Sequence, residues 1–248
     1  MGDSLAAVVL AAGAGARLRP LTRIRPKALC PVGNVPLVDA AIERARRVTP
    51  AVAVNVHHGR ALLEAHLAGR VHLSIEADRA LGTAGALGNL RTWLAGRPAL
   101  VLNADAWHEA DLAPFVAGWD GERVRLLVVG DRALGPNTSV VAALHPWSDV
   151  ERLDAEPSGL YARSWRRHAS DGRLDVAAYH GPFHDCGTPA RYLAANLAAS
   201  GGASVVGAAA TVAGEIDRCV VWPGAAVRRG ERLSNAIRAD ERTTVMVR

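Results

Sequence analysis

Two rhythms alternate along the first half of the chain. Short apolar runs, AAVVLAA (6–12), AVAVNVHH (51–58), VHLSIE (71–76), ALVLNAD (99–105) and RVRLLVVG (123–130), have the length and continuity of buried strands. Between them, PLVDAAIERARR (36–47), a segment near 60–68, TAGALGNLRTWL (83–94) and a segment near 112–118 repeat apolar positions at helical spacing. A strand that is apolar along its whole length is covered on both sides. The alternation therefore predicts a mostly parallel sheet with helices on both faces.

This is an α/β, Rossmann-like expectation, and it places ligands outside the carboxyl ends of the strands. Those ends carry the Gly13 turn, Glu76 and Asp105. Beyond residue 130 the pattern loosens. SVVAAL (139–144) and RLDVAAY (173–179) read as strands, EPSGLYARSWRRHAS (156–170) contains a helix, and TPARYLAANLAAS (188–200) is a helix with Thr188 as N-cap and Pro189 behind it. From residue 201 small residues dominate, with an aliphatic residue about every six positions, as in a hexapeptide β-helix of about two turns. The expected division is a core of residues 1–200 and a short β-helical tail of 201–248. So short a tail must pack on the core or on another subunit, so a homo-oligomer through the tail is one expectation.

Composition narrows the classes. No apolar run approaches the ~18–20 residues of a membrane span, and the amino terminus lacks a basic leader, so neither a membrane partner nor a signal peptide is expected. Three scattered cysteines, Cys30, Cys186 and Cys219, show no C-x-x-C spacing and point to a reducing cytoplasm. The formal charge of +5 comes from dispersed arginines without any nucleic-acid-binding motif, which speaks against a nucleic-acid partner and for a small polyanion. His184 stands next to Asp185, yet no H-x-E or E-x-x-H spacing makes it a metal ligand.

Charge type matters more than net charge. Of 29 basic residues only one, Lys27, is a lysine. It follows AGAGARLRPLTRIRP, where Gly13 and Gly15 allow backbone amides close to phosphate oxygens and Arg17 and Arg19 add guanidinium groups. The turn is neither a full G-x-G-x-x-G, because Leu18 takes the third glycine position, nor a Walker A loop.

The run from Leu10 through Gly13, Gly15, Arg17 and Thr22, then Pro26-Lys27 and Pro31-Val-Gly-Asn-Val-Pro36, resembles the signature of the sugar-1-phosphate nucleotidyltransferases. Leu81-Gly82-Thr83-Ala84-Gly85, Asn103-Ala104-Asp105 and Asp185-Cys186-Gly187-Thr188 extend the match in the same order. The resemblance implies that an NTP and a sugar 1-phosphate give an NDP-sugar and pyrophosphate, with Mg²⁺ held by Asp105 and Asp185. It implies Arg17 at the departing phosphates and Lys27 at the reacting phosphate, where a compact ammonium follows moving oxygens better than a planar fork. It assigns nucleotide binding to Leu10, Ala12, Gly13, Gly15, Glu76, Gly82, Thr83, Asn103 and Glu156.

A Glu76 carboxylate could accept from guanine N1–H and N2–H₂ together, and with the L-G-T and V-N-V-H-H segments this makes the chain most similar to mannose-1-phosphate guanylyltransferases. The same residue also reads as a solvated strand end. One departure concerns the acceptor. Where many members carry E-K-P, this chain has Ala155-Glu156-Pro157, leaving Arg163 or Arg166 as replacement cations. The alternatives are therefore a uridylyl- or thymidylyltransferase, another sugar or a cyclitol phosphate as acceptor, and a nucleotide-sugar-binding regulatory subunit without turnover.

Overall fold

The computed structural model describes residues 5–131 and 134–247. Contacts divide them into two compact units. The first comprises residues 5–13, Ala40–Ala104 and His108–Pro182; the second comprises Ala14–Asp39, Asp105–Trp107 and the chain from Phe183 onward. The tail expected as a unit by itself is thus part of a unit that also contains the glycine-rich segment.

The first unit is built on a seven-stranded sheet. In chain order its strands are β1 Ala6–Leu10, β2 Val52–Val56, β3 His72–Ile75, β4 Ala99–Asn103, β5 Val124–Val129, β6 Val140–His145 and β7 Leu174–Tyr179. Their spatial order is β7-β5-β6-β4-β1-β2-β3. All pairings are parallel except those of β6, which runs antiparallel to both β4 and β5. The connection of residues 130–139 is too short for a helical crossover, so the chain turns back beside the strand it has left. Val8, Val101, Leu126, Ala143, Leu87 and Leu94 are buried in the sheet's core cluster.

The helix predicted over 83–94 is broken. It forms Gly82–Asn89 and, after Leu90, a separate turn Arg91–Leu94. The first of these lies backbone to backbone against residues 154–158. A Cβ at Gly85 would come within 2.3 Å of the Glu156 carbonyl oxygen, and one at Gly88 within 2.4 Å of the Asp154 carbonyl. Glycine at these positions makes the close approach possible. The predicted helix within 156–170 begins as a π-helical turn, Tyr161–Trp165, and continues as Arg166–Ser170.

In the second unit the helix Pro189–Ala199 starts as expected, with the Thr188 side chain accepting from the Arg191 amide. The tail forms short parallel ladders. Val205–Val206 pairs with Val220–Val221, which pairs with Ala236–Arg238; Thr211–Val212 pairs with Ala226–Val227, and Glu215–Asp217 with Arg232–Ser234. Chain segments returning in register on three sets of short strands make a β-helix-like coil, closed by antiparallel Thr244–Met246. Its core is shared with the glycine-rich segment: Trp222, Val221, Val227 and Ile237 cluster with Leu18, Leu21, Cys30 and Tyr192. Trp222 Nε1 donates to the Tyr192 hydroxyl at 2.9 Å, and that hydroxyl donates to the Pro31 carbonyl.

Candidate active site

The second unit gathers Arg17, Lys27, Asp105 and Asp185. Gly15 takes a left-handed conformation (φ 59°), and a Cβ there would lie 2.9 Å from the Thr22 methyl and 3.0 Å from Lys27 Cβ. Only glycine suits both the dihedral and the space. The Thr22 hydroxyl closes the loop by donating to the Gly15 carbonyl at 3.1 Å. Three short 3₁₀ turns, Ala16–Leu18, Leu21–Arg23 and Lys27–Leu29, carry the chain to the buried Lys27.

Lys27 Nζ lies 3.0 Å from Asp105 Oδ2 and 3.5 Å from Asp185 Oδ1. The two aspartates meet because the short strands Ala106–His108 and Phe183–Asp185 pair, with the Cys186 amide donating to the Asp105 carbonyl at 3.0 Å. Arg17 reaches the same place: a Cβ on Gly187 would sit 3.0 Å from its Nη2 and 2.9 Å from Asp185 Oδ1. Arg191 Nη1 also pairs with Asp185, at 2.7 Å. Sequence reasoning missed this arginine, since nothing in its position after Pro189 marks it out.

Burial is uneven across the cluster. The Lys27 side chain is 9% exposed, whereas those of Asp105 and Asp185 are 52% and 30% exposed. A buried ammonium requires paired charge, and these carboxylates supply it from their inner sides. The outer side of Asp105 is largely solvent-exposed, while the other oxygen of Asp185 accepts from Arg191. Two carboxylates, Asp105 in the turn before Ala106–His108 and Asp185 at the end of Phe183–Asp185, offer oxygen-only donors that fit a hard divalent cation completing its shell with phosphate and water. Among the described residues no group of three or more His, Cys, Asp or Glu is arranged around a metal position. The neighbouring thiols are spectators: burial pushes Cys30 and Cys186 up to about 12, against the opposing pull of nearby cations, and neither forms a thiolate at neutral pH. His184 packs against the Trp107 ring, and burial lowers its pKa.

The first unit holds the residues assigned to nucleotide binding except Gly15, in a different chemistry. The parallel strands β1, β2 and β3 end side by side, and a chain of buried hydrogen bonds links the segments just beyond them. The Ala11 amide donates to Asn55 Oδ1 at 2.8 Å, Asn55 Nδ2 donates to Glu76 Oε1 at 2.7 Å, and the Leu81 amide donates to Glu76 Oε2 at 2.7 Å. Asn55 and Glu76 are 2% and 3% exposed. Two histidines add to the frame through Nδ1–H: His57 donates to the Glu76 carbonyl at 2.6 Å and His58 to the Ala12 carbonyl at 3.0 Å. A carbonyl can only accept, so both rings must carry their proton on Nδ1.

Glu76 is therefore no solvated strand end. Each of its oxygens already accepts a short, charge-assisted hydrogen bond from the protein. Gly82 follows in a left-handed conformation (φ 69°), where a Cβ would meet the Ser158 carbonyl at 2.5 Å. The Thr83 hydroxyl accepts from the Leu160 amide at 2.8 Å. Leu10 and Asn103 are paired across β1 and β4, and the Ala104 amide donates to the Leu10 carbonyl. Glu156 extends outward and pairs with Arg79 at 2.6 Å. It borders a cavity of about 190 Å³ that is also lined by Arg152, Arg163, Arg167 and Ser158. Of the two replacement cations expected from sequence, Arg163 reaches this cavity and Arg166 is absent from its lining.

A buried hub backs the cavity. Asp149 accepts from His145 Nδ1, Ser164 Oγ and His168 Nε2, each at 2.8 Å, and from Arg167 Nη2 at 3.2 Å. Burial works against its charge, but these donors outweigh it and hold the carboxyl below its ordinary range. The hub fastens the π-helical turn and Arg167 to β6. No local sequence pattern announces it, because its members are scattered over residues 145–168.

Comparison with known proteins bears on these arrangements. Residues 6–130 match the family model described as Nucleotidyl transferase. An N-acetylmuramate alpha-1-phosphate uridylyltransferase of Caulobacter vibrioides is 33% identical, over 76% of this chain and 94% of that protein. A mannose-1-phosphate guanylyltransferase of Mycobacterium tuberculosis is 32% identical over 52% of this chain, a match that spans 39% of the relative. Among solved structures, one described as a mannose-1-phosphate geranyltransferase from Thermus thermophilus superposes with a TM-score of 0.68 at 18% identity, over 98% of this chain and 95% of that one. The last is a likeness of fold.

Proposed function

The chain belongs to the nucleotidyl transferase family, and from that premise we propose that it joins a nucleoside triphosphate to a sugar 1-phosphate, releasing pyrophosphate. The observation that carries this reading is the convergence of Lys27, Asp105 and Asp185, with Arg17 alongside. A sugar-phosphate oxygen forms a bond to the α-phosphorus, and the bond from that phosphorus to the pyrophosphate oxygen breaks. Lys27 neutralises charge at the reacting phosphate, and Arg17 faces the departing phosphates. Asp105 and Asp185 would hold Mg²⁺, which supplies charge neutralisation at phosphate oxygens. Leu10, Ala12, Gly13, Gly82, Thr83 and Asn103 line the nucleoside side, and Gly15 shapes the phosphate loop.

Uridine is the base this reading favours. The guanine argument needed a carboxylate open to the base, and Glu76 is 3% exposed with each oxygen already tethered to a protein donor. The similarity to a uridylyltransferase over 94% of that protein supports the same choice. A second reading, guanylyl transfer to mannose 1-phosphate, is favoured by the similarity to the M. tuberculosis guanylyltransferase. For the acceptor, Arg163 stands in for the absent lysine and, with Arg152 and Arg167, offers guanidinium groups to an anionic substituent.

A pyrophosphate-release assay tests this, with UTP, GTP, dTTP, CTP and ATP each set against N-acetylmuramate 1-phosphate, mannose 1-phosphate, other sugar 1-phosphates and a cyclitol phosphate in the presence of Mg²⁺. UTP should give the highest kcat/KM. GTP outrunning UTP would favour the second reading. NDP-sugar binding without turnover on any pair would instead identify a regulatory, non-catalytic protein.

A further inference from the structure

Asn55 and Glu76 occupy a position that a base-reading carboxylate would not need. Asn55 lies on β2, flanked by β1 and β3, and both ends of its amide are committed: Oδ1 to the Ala11 amide, Nδ2 to Glu76 Oε1. The other Glu76 oxygen is committed to the Leu81 amide. A single line of hydrogen bonds thus runs from the segment after β1, through the middle strand, to the turn that opens the Gly82–Asn89 helix. His57 and His58 hold the same segments again, through the Glu76 and Ala12 carbonyls.

We propose that Asn55 and Glu76 are a positioning pair that fixes the spacing between the Ala11–Ala12 and Leu81–Gly82 backbones, so that the nucleobase is selected by main-chain groups and not by the Glu76 carboxylate. This rests on the nucleotide-binding reading above. The polarity of the line is determined at every link. Rotating the Asn55 amide would set its NH₂ against the Ala11 N–H and its oxygen against a carboxylate, losing both bonds. The Glu76 side chain cannot turn to a ligand without stranding the Leu81 amide or the Asn55 amide in a buried site. A buried acceptor with two fixed donors holds a distance; a residue that reads a ligand must present an open edge to it, and Glu76 is 3% exposed.

Glu76→Gln separates the two roles. A glutamine has one acceptor oxygen, so either the Leu81 or the Asn55 tether is lost, whichever base is to be bound. We expect KM for UTP, GTP, dTTP and CTP to rise together, by about ten- to a hundred-fold, with their ratios preserved. KM for the sugar phosphate should stay within about two-fold of wild type, and kcat should fall less than KM rises. Asn55→Ala should act in the same direction, and the double variant should be no worse than the more severe single one, because both cut one line. His57→Ala, at a partly exposed position, should shift KM for all nucleotides by a smaller common factor, and it remains informative if the buried variants fail to fold. Direct titration of wild type and variants with UTP and GTP completes the test. A selective loss of guanine binding in Glu76→Gln would make the carboxylate a reader and overturn the proposal. Unchanged nucleotide affinity in variants that merely melt lower would overturn it too. Wild type binding no nucleotide would refute the nucleotidyl-transfer reading itself, and the pair's proposed role would fall with it.

Discussion

The hydrogen-bonded line around Asn55 and Glu76 in the first unit and the charged cluster around Lys27 in the second solve opposite problems. Around Asn55 and Glu76 nearly everything is buried, the carboxylate accepts from two neutral amides, and most contacts involve backbone amides or carbonyls. Around Lys27 the contacts are between full charges, and the carboxylates are substantially exposed. Under the proposed function, the contrast follows from what each would recognise. A planar base is told from its rivals by where donors and acceptors sit, so the protein spends buried hydrogen bonds on keeping distances fixed. A phosphate that changes its bonding is served by charges that can re-pair as the reaction proceeds, which calls for groups within reach of one another and of solvent.

The contrast breaks most completely if the C-terminal coil is removed. Deleting residues 203–247 strips Val221, Trp222, Val227 and Ile237 from the core that holds Leu18, Leu21 and Cys30. Activity should vanish and the 14–39 segment should become protease-sensitive, while the sheet of the first unit keeps its far-ultraviolet dichroism. A truncated protein with full activity would show that the phosphate loop needs no such support. The next effect belongs to Lys27. Lys27→Met should cost on the order of 10²–10³ in kcat with nucleotide affinity changed little, and Lys27→Arg should recover only part of the loss. Normal turnover in the arginine variant would mean that charge alone is required, and the argument from ammonium shape would fail.

Tyr192→Phe sharpens the comparison more gently. It removes the hydroxyl that links Trp222 to the Pro31 carbonyl, and denaturant titration should find about 1–3 kcal/mol less stability. The first unit should instead show its dry interior through pH. Burial, reinforced by Arg44, lowers His108 to about 3. Its unfolded form takes up a proton near pH 6.5 and its folded form does not, so stability is complete above that value and declines as pH falls from 6.5 toward 3. Replacing His108 with Gln should flatten that part of the stability curve. The smallest effect is expected at the surface: Arg79→Ala breaks the exposed pair with Glu156 and should alter stability by less than about 1 kcal/mol.

Sequence was most informative where chemistry demands unusual residues in a fixed order. Arg17 and Lys27 stood out locally beside the glycines, Asp105 and Asp185 were marked by the resemblance to the family's ordered motifs, and the structure brings all four together. The alternation of strands and helices was equally plain, since each element's period is a local property. Glu76 was harder. Its position after a strand was evident, but the satisfaction of both its oxygens depends on Asn55 and the Leu81 amide, and no spacing rule encodes that. The direction of β6 depended on a connection too short for a crossover, and the glycines at 85 and 88 on the approach of residues 154–156. The Asp149 hub and the partnership of Trp222 with Leu18 and Leu21 join distant positions, so they became visible only in three dimensions.

That last partnership also sets an order of events during synthesis. The glycine-rich loop leaves the ribosome well before its support: the aromatic and aliphatic side chains that back it are translated roughly two hundred residues later. The sheet of the first unit can begin to assemble while the chain is still growing, whereas the loop must wait, unfinished, until residues up to Ile237 have emerged. The glycine-rich segment therefore takes its shape later than its place in the chain would suggest.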